Sequence, residues 1–194
     1  MKVAIVKYNA GNVESVKNAL NRLGVEPVLT DDAETLKAAE RIIFPGVGEA
    51  STAMRYLREK NLDGVIKSLT QPVLGICLGM QLLCEFSDEN DTPCLGILPS
   101  RVRRFESDSL KIPQMGWNNI FELKGDLFAG VAENSYVYFV HSFYVETGKE
   151  TIAACDYGLN FSAAVNHENF YAVQFHTEKS GAVGARILEN FLGI

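Results

Sequence analysis

Val73-Leu74-Gly75-Ile76-Cys77-Leu78-Gly79-Met80-Gln81-Leu82-Leu83-Cys84 decides how this chain folds. Its opening residues form a short apolar run of the kind that makes a strand buried on both faces, and the residues from Met80 onward favour a helix. Cys77 stands where the strand turns into the helix. A residue in such a turn has a strained backbone, and Gly75 and Gly79 let the chain fold back without side-chain collision. The thiol is pushed outward at the first turn of the helix. Unpaired backbone N–H groups there carry partial positive charge that favours thiolate, the reactive species, and can also hold an oxyanion.

Upstream of this turn, short β-branched runs alternate with amphipathic segments, the pattern of parallel strands joined by crossover helices. Val3 to Val6 reads as the first strand. A helix from about Val13 to Leu23 places Val16, Leu20 and Leu23 on one stripe and ends at Gly24. Val25 to Leu29 reads as a second strand, and Thr30-Asp31-Asp32 offers an N-cap for another helix. Arg41 to Phe44 is a third strand, Ala50 to Lys60 a further helix, and Val73 to Ile76 the fourth strand.

After Pro93 the helices drop out. Val102 to Phe105, Ile120 to Leu123, Tyr136 to Val140, Phe143 to Val145, Ile152 to Ala154, Ala163 to Val165 and Tyr171 to Phe175 read as short strands. Gly184 to Leu192 closes the chain as a helix with Ala185, Leu188 and Leu192 inward, and Ser87 to Pro93 reads as an exposed acidic loop. The expected fold class is α/β, a single three-layer domain over residues 1–194 with a mixed, mostly parallel sheet and helices on both faces.

With 194 residues and 47% hydrophobic content, one substantial core is available and two ordinary domains are not. Eighteen basic against 24 acidic residues give a net charge of −6, which argues against a nucleic-acid or anionic-membrane surface. The apolar part of Met1 to Lys7 is too short for a signal peptide, and no apolar stretch approaches the roughly 20 residues that span a bilayer. A cytoplasmic location follows as an expectation. Cys77, Cys84, Cys94 and Cys155 form no CxxC pair and lie at no zinc-ligand spacing from His141, His167 or His176, so neither metal nor cofactor is expected. Cys84, among Leu82, Leu83 and Phe86, reads as a small buried hydrophobe.

A catalytic thiolate needs a base. His176 follows the late strand Tyr171 to Phe175, at the sheet edge where ligand chemistry collects in open α/β folds. In an extended chain Glu178 projects to the same side, about 6.6 Å away along the backbone by strand rise, and can orient the imidazole. Cys77, His176 and Glu178 thus supply nucleophile, base and orienter for acyl transfer, although sequence does not show that they meet. Phe44-Pro45-Gly46-Val47-Gly48 ends the third strand in a glycine-rich turn, which is either a plain strand-to-helix connection or a source of N–H donors to a substrate oxyanion. His141 reads as structural or supporting. Neither a P-loop nor a GxGxxG after the first strand is present.

These residues resemble the class I, or triad, glutamine amidotransferases. Gly75 to Gln81 is similar to the family's nucleophile motif, Pro45 to Gly48 to its oxyanion strand, and Phe175-His176-Thr177-Glu178 to its His-Pro-Glu segment, with Thr177 standing in place of proline. Tyr8-Asn9-Ala10-Gly11-Asn12, Pro113 to Asn118, Tyr138 to Phe143 and Glu178-Lys179-Ser180 further resemble the branch that serves histidine biosynthesis, whose members pass ammonia to a (β/α)8-barrel cyclase. Lys7 stands where many members of that branch carry aspartate.

The resemblance implies hydrolysis of glutamine by Cys77, His176 and Glu178 within a heterodimer with the cyclase. It implies oxyanion or substrate contacts at Gly46, Val47, Gly48, Leu78, Gln81, Ser142 and Phe143, with the oxyanion held by the N–H groups of Leu78 and, after a rearrangement of its peptide, Val47. It further implies a partner face of Asn12, Pro113, Met115, Trp117, Tyr138 and Lys179 around the mouth of the ammonia path. By residue type alone, Trp117 in a proline- and glycine-bounded turn reads equally as a partly buried core residue, and Tyr138 as an aromatic packed on the sheet. Two other readings stay open: the glutaminase of another amidotransferase, such as pyridoxal phosphate synthase, and a non-catalytic module that regulates a partner.

Overall fold

The computed structural model describes residues 1–8 and 11–194; Asn9 and Ala10, part of the segment from Tyr8 to Asn12 read above, lie outside the described residues. β1 (Val3–Val6) is buried at every position, and its side chains alternate between two cores: Val3 and Ile5 join one, Ala4 and Val6 the other. A strand apolar on both faces needs helices on both. α1 (Val13–Arg22) covers one side, sending Val16, Ala19 and Leu20 inward. β2 (Val28–Thr30) lies outside β1, and α2 (Ala33–Ala38) follows an N-cap in which Asp32 accepts from the Thr35 N–H at 2.7 Å. β3 (Arg41–Gly46), α3 (Ala50–Glu59), α4 (Leu62–Lys67), β4 (Val73–Cys77) and α5 (Leu78–Leu83) complete the first half.

The second half comprises β5 (Cys84–Ser87), β6 (Thr92–Pro93), β7 (Leu98–Arg104), β8 (Gln114–Ile120), β9 (Ser135–His141), β10 (Phe143–Val145), β11 (Thr151–Asp156), β12 (Asn160–His167), β13 (Phe170–Val173) and α6 (Gly181–Gly193). Among the described residues the main sheet runs β2-β1-β3-β4-β13-β12-β10-β7-β5-β6, with β11 beside β12. From β2 to β13 it is parallel; beyond β13 it is antiparallel apart from the β5–β7 pair. β8 and β9 form a separate antiparallel ribbon, register Gln114↔His141 through Ile120↔Ser135. The chain is therefore a mixed-sheet α/β domain with helices on both faces, and none of the helices described is long and apolar enough to cross a membrane.

Several elements differ from their sequence expectation. β2 starts at Val28 and not Val25, since Pro27 has no N–H to give a ladder. The strand expected over Ile120 to Leu123 ends at Ile120, and Trp117 lies mid-strand in β8 instead of in a turn. Apolar alternation is weak in β8, which is held by seven register pairs with β9, whereas Glu122 turns the backbone to φ +56. Ala185 points outward, because α6 starts at Gly181 and turns Gly184, Ile187, Leu188 and Phe191 to the core. The acidic stretch is not a free loop: Ser87 and Thr92 are buried and paired, and Glu89 Oε2 accepts from the Ala50 N–H at the start of α3, 2.7 Å away.

α5 packs so closely on the end of β3 that a Cβ on Gly79 would collide with the carbonyl oxygen of Phe44. Gly79→Ala is accordingly expected to lose about 1–3 kcal/mol of stability through overpacking. Gly64→Ala, inside α4 with nothing near its added methyl, should gain about 0.5–1 kcal/mol. Urea denaturation of both variants checks the contrast.

Candidate active site

Parallel register assembles the site. Gly46 is opposite Cys77 on the neighbouring strand, and Ile76 is opposite Val173, so the carboxyl ends of β3, β4 and β13 emerge side by side. The chain leaving β13 carries Gln174, Phe175 and His176 directly past Cys77. At Cys77 the backbone turns to φ +54 and ψ −110, a conformation costing about 1–3 kcal/mol outside glycine, which the close packing of Gly75 and Gly79 imposes. The Leu78 N–H lies in the first turn of α5, where the helix itself offers no acceptor. Beneath Gly46 the buried Tyr8 hydroxyl donates to the Pro45 carbonyl at 2.5 Å and anchors the glycine-rich turn; burial pushes its pKa far above the usual phenol value.

His176 is 2% exposed, with Nδ1 2.8 Å from Glu178 Oε1. The intervening chain is a 3-10 turn, Thr177–Lys179, and not the extended strand expected from spacing, yet the turn brings carboxylate and ring together. Burial by itself pushes His176 down; hydrogen bonding and opposite charge from Cys77 and Glu178 outweigh it and hold the imidazole up at about 10. Glu178 is likewise pushed up by burial, but its bonds from His176 and Asn12 leave it below the usual carboxylate range. The His176 ring is thus held in its protonated form between the Cys77 sulfur and the Glu178 carboxylate. The His176 main chain is fixed as well: its N–H donates to the Tyr138 carbonyl at 2.9 Å, and its carbonyl accepts from the Ser180 hydroxyl at 2.6 Å. That hydroxyl in turn accepts from the Tyr138 N–H at 2.9 Å.

A second buried histidine behaves oppositely. Burial drives His141 down to about 4, with the charge of His176 adding to the effect, so it is neutral at pH 7. Its ring nitrogens sit 2.7 Å from the Phe143 carbonyl oxygen and 2.8 Å from Gln114 Oε1. His141 lines the cavity wall as a neutral ring.

A cavity of about 340 Å³ opens over the thiol. Of the residues read from sequence, Val47, Gly48, Leu78, Gln81, Ser142 and Phe143 line it beside Cys77 and His176, as do Pro113 and Lys179. Gly46 lies buried under its floor, and Glu178 sits behind His176. Gln81 is committed to the wall, its Nε2 donating to the Phe143 carbonyl and to Gln174 Oε1 at 3.0 Å each. Met115 and Trp117 stand away from the cavity on β8 and are 60% and 54% exposed, so Trp117 is no core residue. The Trp117 and Tyr138 rings meet edge-on at 5.9 Å, and Lys179 Nζ lies 5.9 Å from the Tyr138 ring. Asn12 departs from its expectation as a surface residue: it is buried and donates from Nδ2 to Glu178 Oε1 at 3.1 Å.

Sequence reasoning missed Glu89 and Gln174. Glu89 lines the cavity from the acidic stretch, half-buried, with its carboxyl raised first by that burial. Nothing in its sequence surroundings separates it from its acidic neighbours. Gln174, fully buried, directs Nε2 toward Cys77 Sγ at 3.8 Å; an uncharged polar residue between Val173 and Phe175 was the available signal.

A family model described as glutamine amidotransferase class-I matches residues 4–193. A protein named imidazole glycerol phosphate synthase subunit HisH from Bacteroides fragilis (strain YCH46) is 58% identical over 194 residues, 99% of each chain. One of the same name from Bacteroides thetaiotaomicron is 55% identical over 196 residues, all of each chain. Among solved structures, a protein described as a glutamine amidotransferase matches with TM-score 0.76 at 22% identity, covering 98% of this chain and 97% of that one. The PurLQS structure from Thermotoga maritima matches with TM-score 0.74 at 20% identity, covering 99% and 97%. These two are likenesses of fold.

Burial pushes the Cys94 and Cys155 thiols up to about 12 and Cys84 well above its usual value, which keeps all three protonated at neutral pH. Alkylation by iodoacetamide at pH 7 therefore reports on Cys77. In Glu178→Gln the imidazolium loses its carboxylate, and alkylation should slow about tenfold, the equivalent of one pH unit. The imidazolium exists below about 10, so this dependence on Glu178 should persist from pH 7 upward and vanish as pH passes that value.

Proposed function

Because this chain belongs to the class-I glutamine amidotransferases, we propose that it is the glutaminase subunit of an imidazole glycerol phosphate synthase. Within that reading it hydrolyses glutamine to glutamate and ammonia and delivers the ammonia to a (β/α)8-barrel cyclase, which forms imidazole glycerol phosphate and aminoimidazole carboxamide ribotide. The observation that carries the reading is Cys77 and His176 side by side on one cavity, in a chain sharing more than half its residues with proteins of that name over their full length.

Glutamine enters with its side-chain amide over Cys77. The thiolate attacks the amide carbon, and the oxyanion that forms takes hydrogen bonds from the N–H groups of Leu78 and, once its peptide turns inward, Val47. His176 gives its Nε2 proton to the departing nitrogen; the C–N bond breaks and leaves a γ-glutamyl thioester and ammonia. Water then attacks the thioester, His176 takes its proton, and glutamate leaves with Cys77 regenerated as thiolate. Glu178 holds the ring so that Nε2 faces the thiol throughout. At the other end of the substrate, Glu89 meets the α-ammonium group, while Gly48, Gln81, Ser142 and Phe143 surround the α-carbon end.

The cyclase docks on the face of Met115, Trp117 and Tyr138, with Pro113 and Lys179 at the junction between that face and the cavity. Exposed aromatic and thioether side chains with a neighbouring cation suit a protein interface. Asn12 contributes through its bond to Glu178. Four free cysteines fit a cytoplasmic location, where thiols stay reduced.

Glutamate release is measured with the chain alone and with a histidine-pathway cyclase plus its nucleotide ligand. Strong stimulation by the cyclase that disappears in Cys77→Ala is the expected result; activity indifferent to the cyclase would instead favour another amidotransferase. Glu89→Gln, which weakens a charge-assisted hydrogen bond of about 1.5–3 kcal/mol, should raise KM for glutamine by ten- to a hundredfold with kcat much less affected.

A further inference from the structure

Gln174 follows the last residue of β13 and is fully buried. Val173 before it pairs with Ile76, the residue before Cys77, so the strand register brings Gln174 beside the thiol. Its main-chain N–H donates to the Ala163 carbonyl at 2.8 Å, which fixes the backbone on β12. The direction of its carboxamide follows from its neighbours. The Phe143 carbonyl can only accept, so the Gln81 atom 3.0 Å from it is the amide nitrogen Nε2. The same nitrogen lies 3.0 Å from the Gln174 side chain, which therefore meets it with Oε1. Gln174 Nε2 is left to face Cys77 Sγ at 3.8 Å. A single backbone carbonyl thus sets the direction of two side-chain amides in turn.

Burying a carboxamide is costly unless its groups are hydrogen-bonded, and methionine, unbranched and of similar length, would fill the space without that demand. Besides His176, the sulfur meets two groups of opposite character. The Val140 carbonyl, 3.8 Å away, accepts from the protonated thiol and offers a thiolate nothing. Gln174 offers an N–H, and a hydrogen bond to a charged acceptor is stronger than one to a neutral acceptor.

Resting on the reaction proposed above, we infer that Gln174 is a positioning residue that acts through Cys77: its carboxamide, aimed by Gln81, donates to the sulfur and favours the thiolate that attacks glutamine. Gln81 is then the link between the cavity wall and the sulfur, since it lines the cavity, grips the Phe143 carbonyl and directs the Gln174 amide. The other titratable groups around the sulfur are His176 beyond β13, Tyr8 beyond β1, and Glu89, His141 and Lys179 along the cavity. None of them is altered when Gln174 is changed.

The test is the rate of iodoacetamide alkylation of Cys77 in the full-length chain, for wild type, Gln174→Met, Gln81→Met and the double variant. At pH 7 Gln174→Met should slow alkylation roughly three- to tenfold, the range of one hydrogen bond. Gln81→Met should do the same, because Gln174 then loses its direction, and the double variant should be no slower than either. The gap from wild type should close as pH rises until the thiol is ionised in every variant. Gln174→Met reacting at the wild-type rate, a double variant slowed by the product of the single effects, or a gap that persists undiminished at high pH overturns the inference. Should Gln174→Met fail to fold, Gln81→Met decides, since it leaves Gln174 in place: slowing supports the inference and a wild-type rate refutes it. Alkylation needs neither glutamine nor a cyclase, so failure here is distinct from failure of the proposed activity.

Discussion

The contact between α5 and the carboxyl end of β3 is closer than any side chain would allow. Gly79 lies against the Phe44 carbonyl and Gly46 against the Tyr8 hydroxyl, and neither has room for a Cβ. With that contact made, the chain leaving β4 has to reverse within one residue, and the residue that takes the strain is Cys77. The same contact keeps Gly46 and the turn after it next to the thiol. The Cys77 thiol and the candidate oxyanion donors thus share one packing constraint, and the strain at Cys77 is maintained by the cores on both sides of the sheet.

Electrostatics then sets two buried histidines in opposite charge states. Both lose water on folding, and for both burial alone favours the neutral ring. His176 has a carboxylate on one side and the thiol on the other, and it stays charged. His141 meets a carbonyl and an amide, with His176 nearby as a like charge, and it stays neutral. The difference comes from partners and not from depth.

The ribbon β8–β9 joins the outer face to the segment that carries His176. Tyr138 turns its ring toward Trp117 on the outside, while its backbone N–H and carbonyl are held by Ser180 and His176. Gly184 in turn lies against the Thr177 carbonyl, which seats the 3-10 turn on α6. The loop carrying His176 and Glu178 is therefore fixed at both ends by well-buried structure.

Local sequence determined the parallel half of the fold, the thiol turn and the pairing of His176 with Glu178. Each rests on a short-range cause: apolar runs that need two covered faces, glycines beside a cysteine, two residues close enough in the chain to meet in either an extended strand or a tight turn. Helix α4, the extent of β8 and the outward face of Ala185 were not legible, because β8 is held by backbone pairing with β9 and α6 by where its first turn starts. Glu89 at the cavity, Gln174 beside the thiol and Asn12 on Glu178 were decided by tertiary structure alone. Cys77 and Gln174 are 97 positions apart, Asn12 and Glu178 166. Contacts over such separations leave no periodic trace in the chain and arise only when the register of β3, β4 and β13 brings distant segments to one edge of the sheet.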